Sequence, residues 1–281
     1  MRVVSAKNTK KIGTNKKNIL NVDELNAYKV AYGQPLKARD YVTYIGVPTI
    51  GFAVVSFILL YNFWFALIMG VLGFLYGTKF YLPKSISKVY ELHSFSQRNK
   101  FINNLTQILT DDSKTVASAF ATVNRRASGE FQQELTKLQA RLLGADNDRI
   151  KSGIDELTKK YEDDVIFVQY MEQIETAMLE GKTNIDTLKD IKTYHNDIKK
   201  KQEMYEKQKR GHLTDMKMLA GIMVIFILAI TFSFGFDVYI DSFARKPVGW
   251  ITSAIYLILM GNFFKSFSVY LFDDSVLEVE L

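Results

Sequence analysis

The sequence predicts an all-α membrane protein with four transmembrane helices, two before and two after a central cytosolic bundle of six helices. The last bundle helix continues into the third span. Three observations carry this expectation. Uncharged runs long enough to cross a bilayer occur near both ends of the 281-residue chain. The middle is charged and repeats apolar residues at helical spacing. No strand alternation or hairpin signal competes with that spacing. The expected division is a basic cytosolic N-terminal segment (1–40), a transmembrane hairpin (41–82), the helical bundle (83–217), two further spans (218–272) and an acidic tail (273–281).

The first segment, Met1 to Asp40, carries nine Lys and Arg against three acids, concentrated in Lys7, Lys10, Lys11, Lys16 and Lys17. It reads as a flexible tail held in the cytosol by its charge, with anionic lipid as the next reading. No aromatics interleave the lysines, so nucleic acid is not an expected partner. No apolar run follows within signal-peptide distance, and the N-terminus reads as retained. The chain has no Cys, which excludes disulfides and Cys-based metal sites.

Tyr41 to Thr78 is 38 residues without a charge. One helix of that length would run about 57 Å, nearly twice the ~30 Å hydrocarbon core. Two antiparallel spans turning near Tyr61 and Asn62 fit, with Tyr61, Phe63 and Trp64 at the far interface. Lys79, Lys84 and Lys88 mark the return to the cytosol.

Five apolar stripes then follow. They are Phe101, Leu105, Ile108 and Leu109; Val116, Ala119, Phe120 and Val123; Phe131, Leu135, Leu138 and Leu142, stopped by Gly144; Ile150, Ile154, Leu157 and Tyr161; and Phe167, Tyr170, Met171, Ile174 and Met178, stopped by Gly181. Each stripe must be buried against another, so together they form a bundle.

The sixth helix opens at Thr183-Asn184-Ile185-Asp186, read as a capping box with Thr183 as N-cap. Its apolar face is Ile185, Leu188, Ile191, Tyr194 and Ile198. A charged stretch follows, and Met218 to Phe236 is uncharged and long enough to span. Gly211 is the expected point of bending. A loop with Asp237, Asp241, Arg245 and Lys246 leads to the last span from Pro247, and Asp273, Asp274, Glu278 and Glu280 make the tail acidic. With four spans, both termini lie in the cytosol of a multi-pass cytoplasmic-membrane protein.

No catalytic, cofactor-binding or metal site emerges, and the chain is not expected to be an enzyme. Gly181-Lys182-Thr183 lacks the preceding Gly of a phosphate loop, with Thr176 in its place. Asp146-Asn147-Asp148 begins like a calcium loop, but Lys151 stands where the Gly belongs. His93, His195 and His212 show no ligand spacing, and His195 reads as packed or solvated. Paired acids such as Asp155-Glu156 and Asp163-Asp164 read as residues at helix starts or on polar faces, where they complement helix dipoles. No ionisable residue lies deep in a span, which disfavours a transporter or channel.

The order of parts resembles the type II secretion system F-domain family, in the single-domain form of Tad-type pilus platform proteins. The resemblance covers about Asn62 to Phe272. It is carried by Arg98-Asn99-Lys100-Phe101 through Leu109, Thr115 to Val123, Met171 to Gly181, and Asn184-Ile185-Asp186-Thr187-Leu188 running through a charged helix into a span. It implies a non-enzymatic platform that acts as a homo-oligomer or with a similar platform protein. Such a platform couples a cytosolic secretion ATPase to pilin-like subunits or another substrate of a pilus, secretion or conjugation-related machine. Lys199, Lys200, Lys201 and Arg210 are the candidate partner contacts, a solvated stalk being the other reading of the same residues. The alternative function is a membrane-anchored scaffold or signalling protein whose bundle binds a soluble partner.

Overall fold

The computed structural model describes residues 22–33, 35–111 and 113–273, and these are helical with short connections. The lysine cluster Lys7 to Lys17 and the tail acids Asp274, Glu278 and Glu280 lie outside the described residues. Four helices are long and apolar enough to cross a membrane: α2 (Ala38–Leu60), α3 (Phe63–Leu109), α8 (Ile185–Phe234) and α10 (Pro247–Leu271). Between α3 and α8 come α4 (Val116–Asn124), α5 (Gly129–Leu142), α6 (Asn147–Lys160) and α7 (Val165–Glu180). Ahead of them lies α1 (Val22–Ala31), and a short α9 (Phe236–Tyr239) joins α8 to α10.

Polar side chains set where half of these helices begin. The oxygens of Asn62, Thr115, Asp146, Asp164 and Asn184 each accept a backbone N–H from the first turn that follows. Stops are set by left-handed residues, with Gly144 at φ +67°, Gly181 at +69° and Tyr61 at +45°. The start of α8 differs from the capping box expected from the sequence. Its N-cap is Asn184, whose Oδ1 takes the Thr187 N–H at 3.3 Å, so Thr183 stands one residue outside the helix. Asp186 falls in the first turn and pairs with Lys189 at 3.3 Å.

No break in the helix accompanies the expected boundary at residue 82. The second apolar helix and the first helix of the module are one 47-residue element, about 70 Å long at about 1.5 Å per residue. A π-helical turn, Gly77–Tyr81, absorbs Pro83, and a matching turn, Val42–Gly46, precedes Pro48 in α2. A proline ring displaces the carbonyl four residues back, and widening the helix by one residue relieves that clash. The two turns face each other in the hairpin. There a Cβ on Gly77 would lie 2.9 Å from the Ile45 Cα and the Tyr44 carbonyl, and one on Gly73 2.7 Å from the Pro48 carbonyl. These glycines are therefore what lets the spans approach.

The module's core gathers around Phe101, whose ring lies 5.5 Å from Phe120, 5.6 Å from Phe131, 6.2 Å from Phe167 and 6.4 Å from Tyr170, all edge-on. Leu105, Leu135, Ile154, Met171, Ile174 and Leu188 close the same cluster. The second half of the expected N-terminal tail is not free. Helix α1 lies on α3 and α5, with Tyr28 and Tyr32 against Tyr90 at 4.8 and 5.4 Å. Its carbonyl end sits so close to Gly129 (φ +66°) that a Cβ there would come within 2.2 Å of the Ala31 oxygen.

The α10 end, α1 and the module all lie on one side of the apolar layer. On the other side Tyr61 packs edge-on against Phe236 and Tyr239, and the Tyr239 hydroxyl donates to the Leu59 carbonyl at 3.0 Å.

Gly77→Ala is expected to lower stability by about 1–3 kcal/mol, because both nearest atoms are backbone and cannot yield. Gly221→Ala, which meets nothing within 4 Å, leaves stability unreduced. Thermal unfolding in detergent compares the two.

Candidate functional site: two long helices joined by buried polar contacts

Helix α8 is a 50-residue element, about 75 Å long, and Gly211 does not interrupt it. Together with α3 it gives two continuous helices that each run from the apolar layer into the module. Two sets of polar contacts tie them together.

The first set lies inside the module. Arg98 of α3 donates through Nε to Asp164 Oδ2 at 2.7 Å and through Nη1 to Ser94 Oγ at 2.7 Å. The His195 ring of α8 is fully buried, with Nε2 3.3 Å from the same Asp164 oxygen. Asn99 Nδ2 donates to His195 Nδ1 at 2.9 Å and to Asn196 Oδ1 at 2.8 Å. Asn103 and Asn196 exchange amide hydrogen bonds at 2.8 and 2.9 Å. With an amide donor at Nδ1, the pattern fits the neutral ring carrying its proton on Nε2 and donating to Asp164. Phe95 stacks on that ring at 4.6 Å, and the Arg98 guanidinium lies 4.8 Å from the Tyr161 ring centre.

Asp164 has a second task, because its Oδ1 accepts the Phe167 N–H at 3.1 Å and so starts α7. Burial is the largest influence on its carboxyl and acts to raise the pKa. The His195 hydrogen bond and the Arg98 charge together outweigh it and hold the value at about 2.

The chemistry of this cluster is structural. Both imidazole nitrogens already have partners, and the ring has no exposed surface, so no substrate proton can reach it. What the cluster does fix is register. Asn99 and Asn103 sit one turn apart on α3 and meet His195 and Asn196 on α8, so a slip of either helix would orphan several buried groups. Among the described residues no group of three His, Asp or Glu side chains is placed to hold a metal.

The second set lies where the module meets the apolar layer. Lys88 of α3 pairs with Glu206 of α8 at 2.7 Å and donates to the Leu271 carbonyl at 2.7 Å. Lys209, with 1% of its surface exposed, reaches Glu206 at 3.4 Å, lies 4.2 Å from the Tyr205 ring centre and donates to the Asp273 carbonyl. Two lysines, one from each long helix, thus occupy the negative end of α10.

The four basic residues singled out from the sequence do not form one patch. Lys200, Lys201 and Arg210 are exposed, while Lys199 is partly covered and lies 3.8 Å from Glu203. At about 100° per residue, Lys200 and Lys201 point to different sides of α8, and Arg210 to a third. Their neighbour Lys209 is the buried basic residue of this stretch. Asp164 was legible as an acid at a helix start or on a polar face, and His195 as a ring either packed or solvated. Their pairing with Arg98 was not, because nothing along the chain marks which helices face each other.

Among the described residues, the fold and its contacts define an all-helical arrangement with four apolar helices of membrane-crossing length and a helical module on one side of them. The chain is 51% identical over 267 residues to the uncharacterized protein pXO2-23 of Bacillus anthracis, covering 95% of this chain and 96% of that one. It belongs to the same family as that protein. No protein-family model matches the chain, and no solved structure matches it.

Because the Asp164 carboxyl is held below its ordinary value of 3.8, its contribution is complete above about pH 4 and disappears as pH falls through about 2. Asp164→Asn is therefore expected to cost about 2 kcal/mol or more at pH 7, and the gap from the parent chain closes toward pH 2. Denaturant titrations at pH 7, 4 and 2.5 read the gap. A pH-independent difference would mean that the carboxylate charge is not what matters.

Proposed function

We propose that this is a non-enzymatic platform protein of the cytoplasmic membrane, with the helical module and both termini in the cytosol. It serves a pilus, type II-like secretion or conjugation-related machine. A cytosolic secretion ATPase pushes or turns the module, and α8 carries that displacement into the bilayer, where pilin-like subunits or another substrate are moved. It works as a homo-oligomer or beside a similar platform protein. The observation that carries this reading is the unbroken helix Ile185–Phe234, braced against the equally unbroken Phe63–Leu109.

Orientation follows from charge. Lys79, Lys84, Lys88, Lys217 and Lys265 lie at the module-side ends of the apolar helices, while the far side carries Arg245 and Lys246 beside Asp237 and Asp241. An excess of Lys and Arg marks the cytosolic face. The exposed Lys200, Lys201 and Arg210 are open to an acidic partner, whereas Lys199 competes with its contact to Glu203. The four apolar helices support a membrane location, and the family resemblance supports the machine.

Full-length protein in detergent is expected to co-elute with the secretion ATPase encoded in its own gene neighbourhood, and reproducible failure to bind would remove the coupling mechanism. Gly211→Pro is expected to leave ATPase binding intact while abolishing substrate movement, since proline in a helix interior costs about 3 kcal/mol and kinks the axis. Gly211→Ala, with open space around the new methyl, retains function. Wild-type transport by Gly211→Pro would show that the load does not pass along α8. The chain has no other Cys, so Lys182→Cys reports topology, and labelling of it from outside intact cells would reverse the orientation.

A further inference from the structure

The part of α8 that crosses the apolar layer is poorly packed. Only 6% of its apolar window is buried, and Thr231 is its one buried side chain among the described residues. Between this stretch, α2 and α10 runs a cavity of about 460 Å³, and Met223 lines both it and a second space of about 480 Å³ farther from the module.

The walls of the first cavity are mostly hydrocarbon and thioether, among them Phe52, Met216, Met260 and Phe264, with the hydroxyl side chains of Thr43, Ser56, Tyr76, Tyr81 and Ser268 between them. Lys217 is the one charged side chain on them, at the module-side mouth where the uncharged span begins. It has no ion-pair partner among the described residues, unlike Lys88 and Lys209 nearby.

We propose that this cavity is a binding site for one anionic phospholipid, with an acyl chain lying between α8, α2 and α10 and the phosphate at Lys217. Shape and charge both favour that occupant. A single hydrocarbon chain, much thinner than an α-helix at about 10 Å across with its side chains, can run along the groove. The methionines, unbranched and adaptable, suit a chain with many conformers. In the bilayer core no water is available to fill the space. An unpaired lysine at headgroup depth supplies the counter-charge for a phosphate. The site stands on the cavity and Lys217 alone and is independent of the platform reading.

The test adds phosphatidylglycerol or phosphatidylcholine to delipidated full-length protein in detergent and reads bound lipid by native mass spectrometry. The expected result is one retained phosphatidylglycerol. Lys217→Gln weakens it about fivefold, the effect of one lysine near an anionic headgroup, and Lys217→Arg retains it. Gly51→Leu with Gly261→Leu fills the groove from two positions that meet no atom within 4 Å and removes the lipid altogether. Thermal unfolding confirms that this double variant is folded; if it is not, the Lys217→Gln and Lys217→Arg pair decides. Equal retention by the parent chain and Lys217→Gln, equal affinity for phosphatidylcholine, or no retained lipid would overturn the proposal. So would cross-linking of Ala220→Cys, which faces the groove, to another polypeptide in membranes. That result would give the space to a partner helix or a second copy.

Discussion

The structure depends on one buried carboxylate. Asp164 starts α7, neutralises Arg98 of α3 and accepts from His195 of α8, so three elements meet on two oxygens. Charge taken out of water is costly, and it persists only where hydrogen bonds replace the lost solvent. Here they do, with Ser94, Asn99, Asn103 and Asn196 extending the network until its polar ends find partners. The aromatic cluster around Phe101 supplies non-directional stabilisation beside it. Apolar packing tolerates small rotations of a helix, whereas a chain of amides and one imidazole does not, so the polar contacts specify the single arrangement that the core then holds.

Stability is unevenly spread along α8. Its first half is clamped by the core and by His195, and its middle by Lys209 against the end of α10. Its last third touches the other apolar helices sparingly and borders open grooves. The firmly held end lies in the module and the loosely held end in the apolar layer. For the proposed platform, that gradient places the input where register is fixed and the output where neighbours can be exchanged.

Much of this fold could be read from the residues. The helical class, the four apolar helices, the stops at Gly144 and Gly181 and the turn at Tyr61 and Asn62 follow from periodicity, length and backbone preference, all of which are local. The misreadings were of two kinds. Thr183 and Asn184 are both good caps one residue apart, and only the fold shows which oxygen reaches the first turn. The continuity of α3 was missed because Lys79, Lys84 and Lys88 mark only where the apolar run ends, whereas a π-helical turn carries the helix through. The docking of α1 and the pairing of Lys209 with the Asp273 carbonyl rest on contacts between residues far apart in the chain, such as Tyr28 with Tyr90 and Lys209 with Asp273. In those cases sequence shows a charge or an aromatic ring without its partner.

The π-helical turn at Gly77–Tyr81 has a mechanical consequence. Had Pro83 ended the helix, the module would hang from a single shaft and could swivel about it. Because the turn keeps α3 continuous, two antiparallel shafts cross the same boundary, joined by rungs at Lys88–Glu206 and at Asn99–His195. A ladder of this kind has lost its pivot. The freedom it retains is for one rail to slide lengthwise against the other, and that motion must tilt or break the rungs. A displacement of one rail against the other therefore runs along an axis that the two helices themselves define.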